Sequence, residues 1–319
     1  MNNNFERSHI LEMACLAQLT YVAYNQGEEV TKKILTSKFQ TFINTYNQIE
    51  FLHAPRLFNS NGELSTVGFL LSNSKDIVIA VRGTENVDDY FYNILVQPNS
   101  EYIHSGFDRY VKSFWQQIQD FVLREDNGRK NIFITGHSLG GAAAILIAKN
   151  LSEPGFKPIN PYVLEIYTFG APPVSTLELI MDTPLFRFRN AADFIPNLPH
   201  IITTLINRIP RLKKLIINWN PQFLQTLSEY CHTGNEYLIE KDNKIRSLDK
   251  PDIGKAWQWI QLTKSLMPHL QLKIYKQDKN GITNLLRQII ASLIKASLQE
   301  HRAIRYVERL NYDELPPWN

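Results

Sequence analysis

The chain has 319 residues, 44% hydrophobic and 20% charged, a composition that excludes a disordered protein and describes a globular one. That length holds one large α/β domain with insertions or two small domains. A formal net charge of +3 is too mild to argue for a nucleic-acid partner, so the position of the positive charge matters more than its sum. Cys15 and Cys231 lie far apart and make no disulfide framework; Cys15, inside an apolar helical stretch, reads as a small buried hydrophobe. The first residues, MNNNFERSHI, do not have a basic segment followed by an apolar one. No run of roughly 18 apolar residues occurs either, so the expectation is a cytoplasmic protein without signal peptide or spanning helix.

In chain order, His9 to Tyr24 is apolar or small over a length that suits a helix packed on a core. From there to about Pro55 the pattern has no clear period. Val67 to Leu71 and Ile77 to Val81 are strand-forming runs separated by Ser72-Asn73-Ser74-Lys75-Asp76, which predicts a hairpin. The second run ends at Arg82-Gly83-Thr84 and leads into a long irregular connection over 85–105. Phe107 to Leu123 reads as one amphipathic helix through Phe107, Tyr110, Val111, Phe114, Ile118, Phe121 and Val122. Val163 to Phe169 and Leu185 to Phe188 are further strands, the second ending at Asn190-Ala191-Ala192-Asp193. Strands alternating with helices of crossover length predict an α/β protein: a mostly parallel sheet, helices on both faces, and a helical C-terminal elaboration. Nothing in the composition marks a linker, so residues 1–319 read as one domain.

The stretch that carries chemistry is 131–149, NIFITGHSLGGAAAILIAK. A β-branched run to Thr135 meets Gly136-His137-Ser138-Leu139-Gly140, and an alanine-rich helix former follows. Strand, G-x-S-x-G, helix is a nucleophile elbow. So sharp a turn strains the backbone at the serine, and glycines on either side remove Cβ atoms that would collide. A serine hydroxyl needs a base to take its proton and a third group to hold the base. In this arrangement the acid and then the histidine follow the serine. Asp193 stands just past a strand end, where an acid can lean toward a histidine, whereas Asp182 precedes that strand at its wrong end. Order alone leaves His200, His232, His269 and His301 as bases.

Further pieces then align. Val81-Arg82-Gly83-Thr84, Asp89 with Asn93, His104-Ser105-Gly106-Phe107, the elbow, Tyr167-Thr168-Phe169-Gly170-Ala171-Pro172, and Asn190 through Asp193 to Pro199 come in order. With that spacing, about residues 65–240 resemble the class 3 lipase family, the fungal-lipase branch of the α/β-hydrolases. The resemblance implies a triad of Ser138, Asp193 and a C-terminal histidine. Glu300-His301, followed by Tyr306 and Leu310, is similar to the family's acidic residue–histidine segment, while His232 resembles a structural histidine upstream of it. It also implies an oxyanion hole from the backbone N–H groups of Thr84 and Leu139, and a lid within the 85–103 connection.

Three departures stand out. Pro173-Val174-Ser175 replaces the family's arginine-containing run, Tyr90 stands where a tryptophan is usual, and about 200–231 is an insertion. Between Ile201 and Asn220 the insertion carries Arg208, Arg211, Lys213 and Lys214 with no acid, and ends in Trp219. Basic charge with aliphatics and tryptophan is what an interfacial helix uses on anionic lipid, although Pro210 argues against one continuous helix. Ile282, Leu285, Leu286, Ile289, Ile290, Leu293 and Ile294 recur at helical spacing. No metal-ligand spacing, phosphate loop or basic-aromatic run is present, so no cofactor, metal or nucleic acid is expected. The resemblance implies a serine carboxylic ester hydrolase acting on lipid esters, triacylglycerol lipase-like. Alternatives are a phospholipase or galactolipase on membrane lipids and a catalytically silent lipid-binding protein of the same fold.

Overall fold

The computed structural model describes residues 7–37, 45–55, 63–84, 97–124, 126, 127, 130–153, 162–248 and 279–310. Its strands are β1 (Gln48–Pro55), β2 (Leu64–Ser72), β3 (Asp76–Val81), β4 (Asn131–His137), β5 (Tyr162–Phe169), β6 (Leu185–Asn190), β7 (Asn235–Ile239) and β8 (Ile245–Leu248). They form an eight-stranded sheet in sequence order. β3 through β7 run parallel, and β1, β2 and β8 are antiparallel additions at the two edges. The expected hairpin is β2–β3, and its turn is fastened by Asn73, whose Oδ1 accepts from the N–H groups of Lys75 and Asp76 at 2.8 Å.

The described helices are α1 (Arg7–Gln26), α2 (Glu28–Ser37), α3 (Ser105–Lys112), α4 (Trp115–Val122) and α5 (Leu139–Leu151). Those after β6 are α6 (Leu198–Asn207), α7 (Pro210–Trp219), α8 (Pro221–Glu229), α9 (Lys279–His301) and α10 (Ala303–Leu310). β3 shows why a central strand can be a continuous apolar run from Ile77 to Val81. Ile77, Ile79 and Val81 pack toward α3, α4 and α5, while Val78 and Ala80 pack toward α1 and α10. With period-two alternation and both faces covered, every position is apolar. α1 is correspondingly rich in buried residues, including Ile10, Met13, Leu16 and Leu19, and Thr135 Oγ1 of β4 donates to the Met13 carbonyl at 3.0 Å.

One expectation is corrected. The single helix expected over Phe107 to Leu123 is two, α3 and α4. Their junction lies at Ser113–Phe114, where Ser113 Oγ donates to the Tyr110 carbonyl at 2.6 Å and Phe114 turns to φ −130°. The apolar face itself is as read, since Phe107, Tyr110, Val111, Phe114, Ile118, Phe121 and Val122 are all buried. The stretch before Pro55, which showed no period, forms α2 and β1. In β1 Leu52 and Ala54 are buried while Gln48, Ile49, Glu50, Phe51 and His53 are only half-buried, so the alternation is weak.

The basic insertion is a bundle. α6, α7 and α8 contribute Ile202, Ile206, Leu212, Ile216 and Phe223, and α9 contributes Leu286 and Ile289, to a third apolar cluster. Pro210 and Pro221 each occupy the first position of a helix, where the absent N–H costs nothing. Asp89, Tyr90, Asn93 and the rest of 85–96, most of the 85–103 connection where the resemblance places the lid, lie outside the described residues, as does His269. Among the described residues no helix is long and apolar enough to cross a membrane.

Candidate active site

Ser138 sits between β4 and α5 at φ 58°, a left-handed conformation that costs a non-glycine residue of order 1–3 kcal/mol. The tightness of the turn is measurable at its glycines. A Cβ on Gly136 would come 2.2 Å from the Gly140 carbonyl oxygen, and one on Gly140 would come 2.1 Å from that of Val81. The serine N–H donates to the Phe169 carbonyl of β5 at 2.9 Å, which ties the elbow to the neighbouring strand. Ser138 Oγ is buried and has no hydrogen-bond partner among the described residues. Leu139 is the first residue of α5, so its N–H has no carbonyl a turn behind it within the helix.

Asp193 is fully buried just past the end of β6. Its Oδ2 accepts from His301 Nδ1 at 2.8 Å and from the Tyr306 hydroxyl at 2.6 Å. Its Oδ1 accepts from the Ile195 N–H at 3.0 Å and from Ser297 Oγ at 3.2 Å. A carboxylate with four donors is held in one rotamer. Burial and the adjacent Asp193 charge push the Tyr306 hydroxyl well above the ordinary tyrosine range, so it stays a donor. Gly170, at φ +64°, is the close approach that admits this cluster, because a Cβ there would lie 2.9 Å from both Asp193 Oδ2 and the Tyr306 hydroxyl.

Of the histidines that chain order left open, His301 makes this contact with Asp193. His232 turns elsewhere, its Nε2 donating to the Pro196 carbonyl at 3.1 Å. Burial, then the Arg187 charge, pushes its imidazole well below the ordinary histidine range. His104 caps α3, its Nδ1 accepting from the N–H groups of Gly106 and Phe107, with its ring stacked on Phe107. His137, beside Ser138, bridges two elements: Tyr21 of α1 donates its hydroxyl to Nδ1 at 2.7 Å, and Nε2 donates to the His301 backbone carbonyl. Burial, then the proximity of His301, keeps the His137 ring neutral by holding it well below the ordinary range.

Thr84, at the tip of β3, meets His137 and His301 around a cavity of about 340 Å3, whose far wall is Gln18, Tyr21 and Asn25 of α1. Thr84 Oγ1 is buried without a hydrogen-bond partner among the described residues. Tyr21, Ser297 and Tyr306 are site residues whose hydrogen bonds local patterns did not reveal. Their partners lie far off in sequence, and only the Tyr306 spacing from His301 offered a signal. Among the described residues no group of histidine, cysteine or acidic side chains is placed to hold a metal ion.

A mostly parallel sheet covered on both faces, with a strained serine between strand and helix, defines an α/β-hydrolase fold. Residues 78–203 match the model of the class 3 lipase family, described as Lipase (class 3). The toxin TseL of Vibrio cholerae is 26% identical over 175 residues, covering 48% of this chain and 26% of the toxin. A triacylglycerol lipase of Arabidopsis thaliana is 28% identical over 210 residues, covering 48% of this chain and 40% of the lipase. A solved Rhizomucor miehei lipase–propeptide complex aligns with a TM-score of 0.50 at 18% identity, covering 77% of this chain and 71% of that one, a likeness of fold. The chain thus spans only 26% and 40% of the length of these two curated relatives.

Proposed function

We propose that the protein is a serine carboxylic ester hydrolase acting on lipid esters, with Ser138, His301 and Asp193 as its triad. The observation that carries this reading is the buried 2.8 Å hydrogen bond from His301 Nδ1 to Asp193 Oδ2, made by residues 108 apart. A carboxylate on Nδ1 fixes the tautomer whose Nε2 is basic. Ser138 Oγ then attacks the ester carbonyl carbon as His301 Nε2 takes its proton. The carbonyl oxygen becomes an oxyanion received by the N–H groups of Thr84 and Leu139, and the Thr84 hydroxyl, which has no hydrogen-bond partner among the described residues, can add a third bond. Collapse breaks the bond to the alcohol oxygen, which leaves with the proton from His301. Water, deprotonated by the same histidine, attacks the acyl-Ser138 ester and releases the fatty acid. Asp193 stays ionised throughout. Catalytic hydrogen bonds commonly tighten only with substrate bound, which is consistent with a Ser138 hydroxyl that has no partner among the described residues.

A second element of the reading is where the protein meets its substrate. Arg208, Arg211, Lys213 and Lys214 are exposed around α7. Ile217 is exposed beside them, and residues 194–228 contain no acid. That combination supports peripheral docking of α7 on an anionic lipid surface.

The test of the catalytic reading is a phosphonate ester applied to the wild type and Ser138→Ala. The expected result is a single labelled serine, Ser138, and hydrolysis several orders of magnitude lower in the variant. Labelling of another serine, or a variant as active as the wild type, would overturn it.

A further inference from the structure

Ser297 stands one helical turn before His301 on α9 and reaches the same carboxylate. We propose that Ser297 is a positioning residue for the Asp193–His301 pair: its hydroxyl fixes the plane of the Asp193 carboxylate, so that Oδ2 stays in line with His301 Nδ1. The proposal rests on the hydrolase reading and adds to it a residue outside the triad on which the rate depends.

Placement comes first. Residues one turn apart share a face of a helix, so α9 presents Ser297 and His301 side by side to Asp193. The helix thereby bonds both oxygens of one carboxylate, His301 at Oδ2 at 2.8 Å and Ser297 at Oδ1 at 3.2 Å. Two bonds from one rigid element oppose rotation about the Cβ–Cγ bond of Asp193, which a bond to one oxygen does not. Among the described residues Oδ1 has one other donor, the Ile195 N–H at 3.0 Å. That group belongs to the loop of Asp193 itself and moves with it. Tyr306 donates to Oδ2, the oxygen His301 already holds. Only Ser297 ties Oδ1 to the helix that carries the base.

Polarity comes second. Ser297 is buried, and the Phe194 N–H donates to its Oγ at 2.9 Å. An N–H cannot accept, so Phe194 occupies a lone pair of the hydroxyl and leaves its proton for Asp193 Oδ1. A serine inside a helix otherwise often returns its hydroxyl to a carbonyl of the preceding turn. Here the bond from Phe194 holds it the other way. In a buried setting such a chain, N–H to O–H to carboxylate, strengthens each of its links.

Seating comes third, because the end of α9 is fastened without Ser297. Asn190 Nδ2 donates to the Glu300 carbonyl at 2.8 Å, and His137 Nε2 donates to that of His301. Leu286 and Ile289 pack an earlier part of the helix into the third apolar cluster. Loss of the Ser297 hydroxyl therefore leaves α9 docked and releases the carboxylate, and the effect falls on the chemical step.

The experiment uses the full chain and a monomeric ester, p-nitrophenyl butyrate, with the wild type, Ser297→Ala, Ser297→Thr and Leu286→Ala. Leu286→Ala is the stability control, since it loosens α9 away from the carboxylate. Ser297→Ala should lower kcat about 10-fold with KM unchanged, and Ser297→Thr, which keeps the hydroxyl, should restore most of it. Leu286→Ala should keep kcat near that of the wild type at an equal or lower Tm. The His301 Nδ1 proton, followed as a downfield NMR resonance with isotope-labelled histidine, should move in Ser297→Ala and stay in place in Leu286→Ala. An undiminished kcat in Ser297→Ala, or a loss that Leu286→Ala reproduces, would overturn the proposal. So would a Nδ1 resonance that does not respond to loss of the hydroxyl. Absence of hydrolysis by the wild type would instead overturn the hydrolase reading, and this proposal with it.

Discussion

His137 holds the backbone of His301 in place: its Nε2–H donates to the His301 carbonyl, and the two ring centroids lie 4.6 Å apart. A carbonyl can only accept, so Nε2 carries the proton and Nδ1 is the acceptor for the Tyr21 hydroxyl at 2.7 Å. Because His137 directly precedes Ser138, this chain connects α1, the nucleophile and the histidine on Asp193. Small displacements of reacting groups cost rate steeply, so His137→Ala should lower kcat roughly 10- to 100-fold with little change in KM. His137→Asn keeps an amide donor and should recover part of the loss. Tyr21→Phe leaves only a neutral ring nitrogen without its partner and should cost about 1 kcal/mol of stability by urea unfolding. A fully active His137→Ala would mean that the contact is packing alone.

Removing His301 and removing His232 should have different consequences. His301→Ala is expected to match Ser138→Ala in lost turnover, since triad members act as a unit. His232 donates to the Pro196 carbonyl in a buried position away from Asp193, so His232→Ala should cost about 1–3 kcal/mol of stability and leave most of the turnover. Steady-state kinetics beside urea unfolding separates the two effects. The reverse pattern would assign the base to His232.

Stability should fall with acid before the carboxylates titrate. His137 and His232 are both held well below the ordinary histidine range by burial, so the folded state refuses protons that the unfolded chain accepts near pH 6.5. Their contribution is therefore fully present above that pH and is lost as pH falls below it. Each should cost about 1.4 kcal/mol per pH unit while it stays neutral in the fold. Urea unfolding at pH 7.0, 6.0 and 5.5 should show this slope, and His137→Asn should remove about half of it. A stability independent of pH over that interval would contradict the buried neutral state.

Reversing charge at Arg208, Arg211, Lys213 and Lys214 should weaken binding to anionic vesicles, with each basic residue worth up to about 1 kcal/mol at such a surface. Co-sedimentation at low and high salt measures it, and the binding lost should be the salt-sensitive part. Hydrolysis of a monomeric ester should be much less affected, because these side chains are exposed while Leu212 and Ile216 of the same helix stay packed. Equal loss on vesicles and on monomers would make the insertion purely structural.

Sequence alone carried the features whose causes are local. Gly136, Ser138 and Gly140 announce a strained turn because the clashes that exclude other residues arise within a few positions of the chain. The runs Ile77–Val81 and Ile132–Ile134 are apolar throughout because helices cover both faces of the sheet, and Asp193 stands out by lying just beyond a strand end. Tertiary structure decided which distant groups meet. Chain order left four histidines open, and only the fold shows position 301 within 2.8 Å of Asp193. Ser297 and Tyr21, at separations of 104 and 116 residues from their partners, carry no periodicity that marks them. The same holds for β1, whose weak alternation at the sheet edge hid it, and for the α3–α4 break, where one hydroxyl–carbonyl bond interrupts an otherwise continuous apolar face. Backbone strain and apolar period are written in neighbouring residues, whereas a hydrogen bond across the sheet exists only once burial has packed α1, α9 and α10 around it.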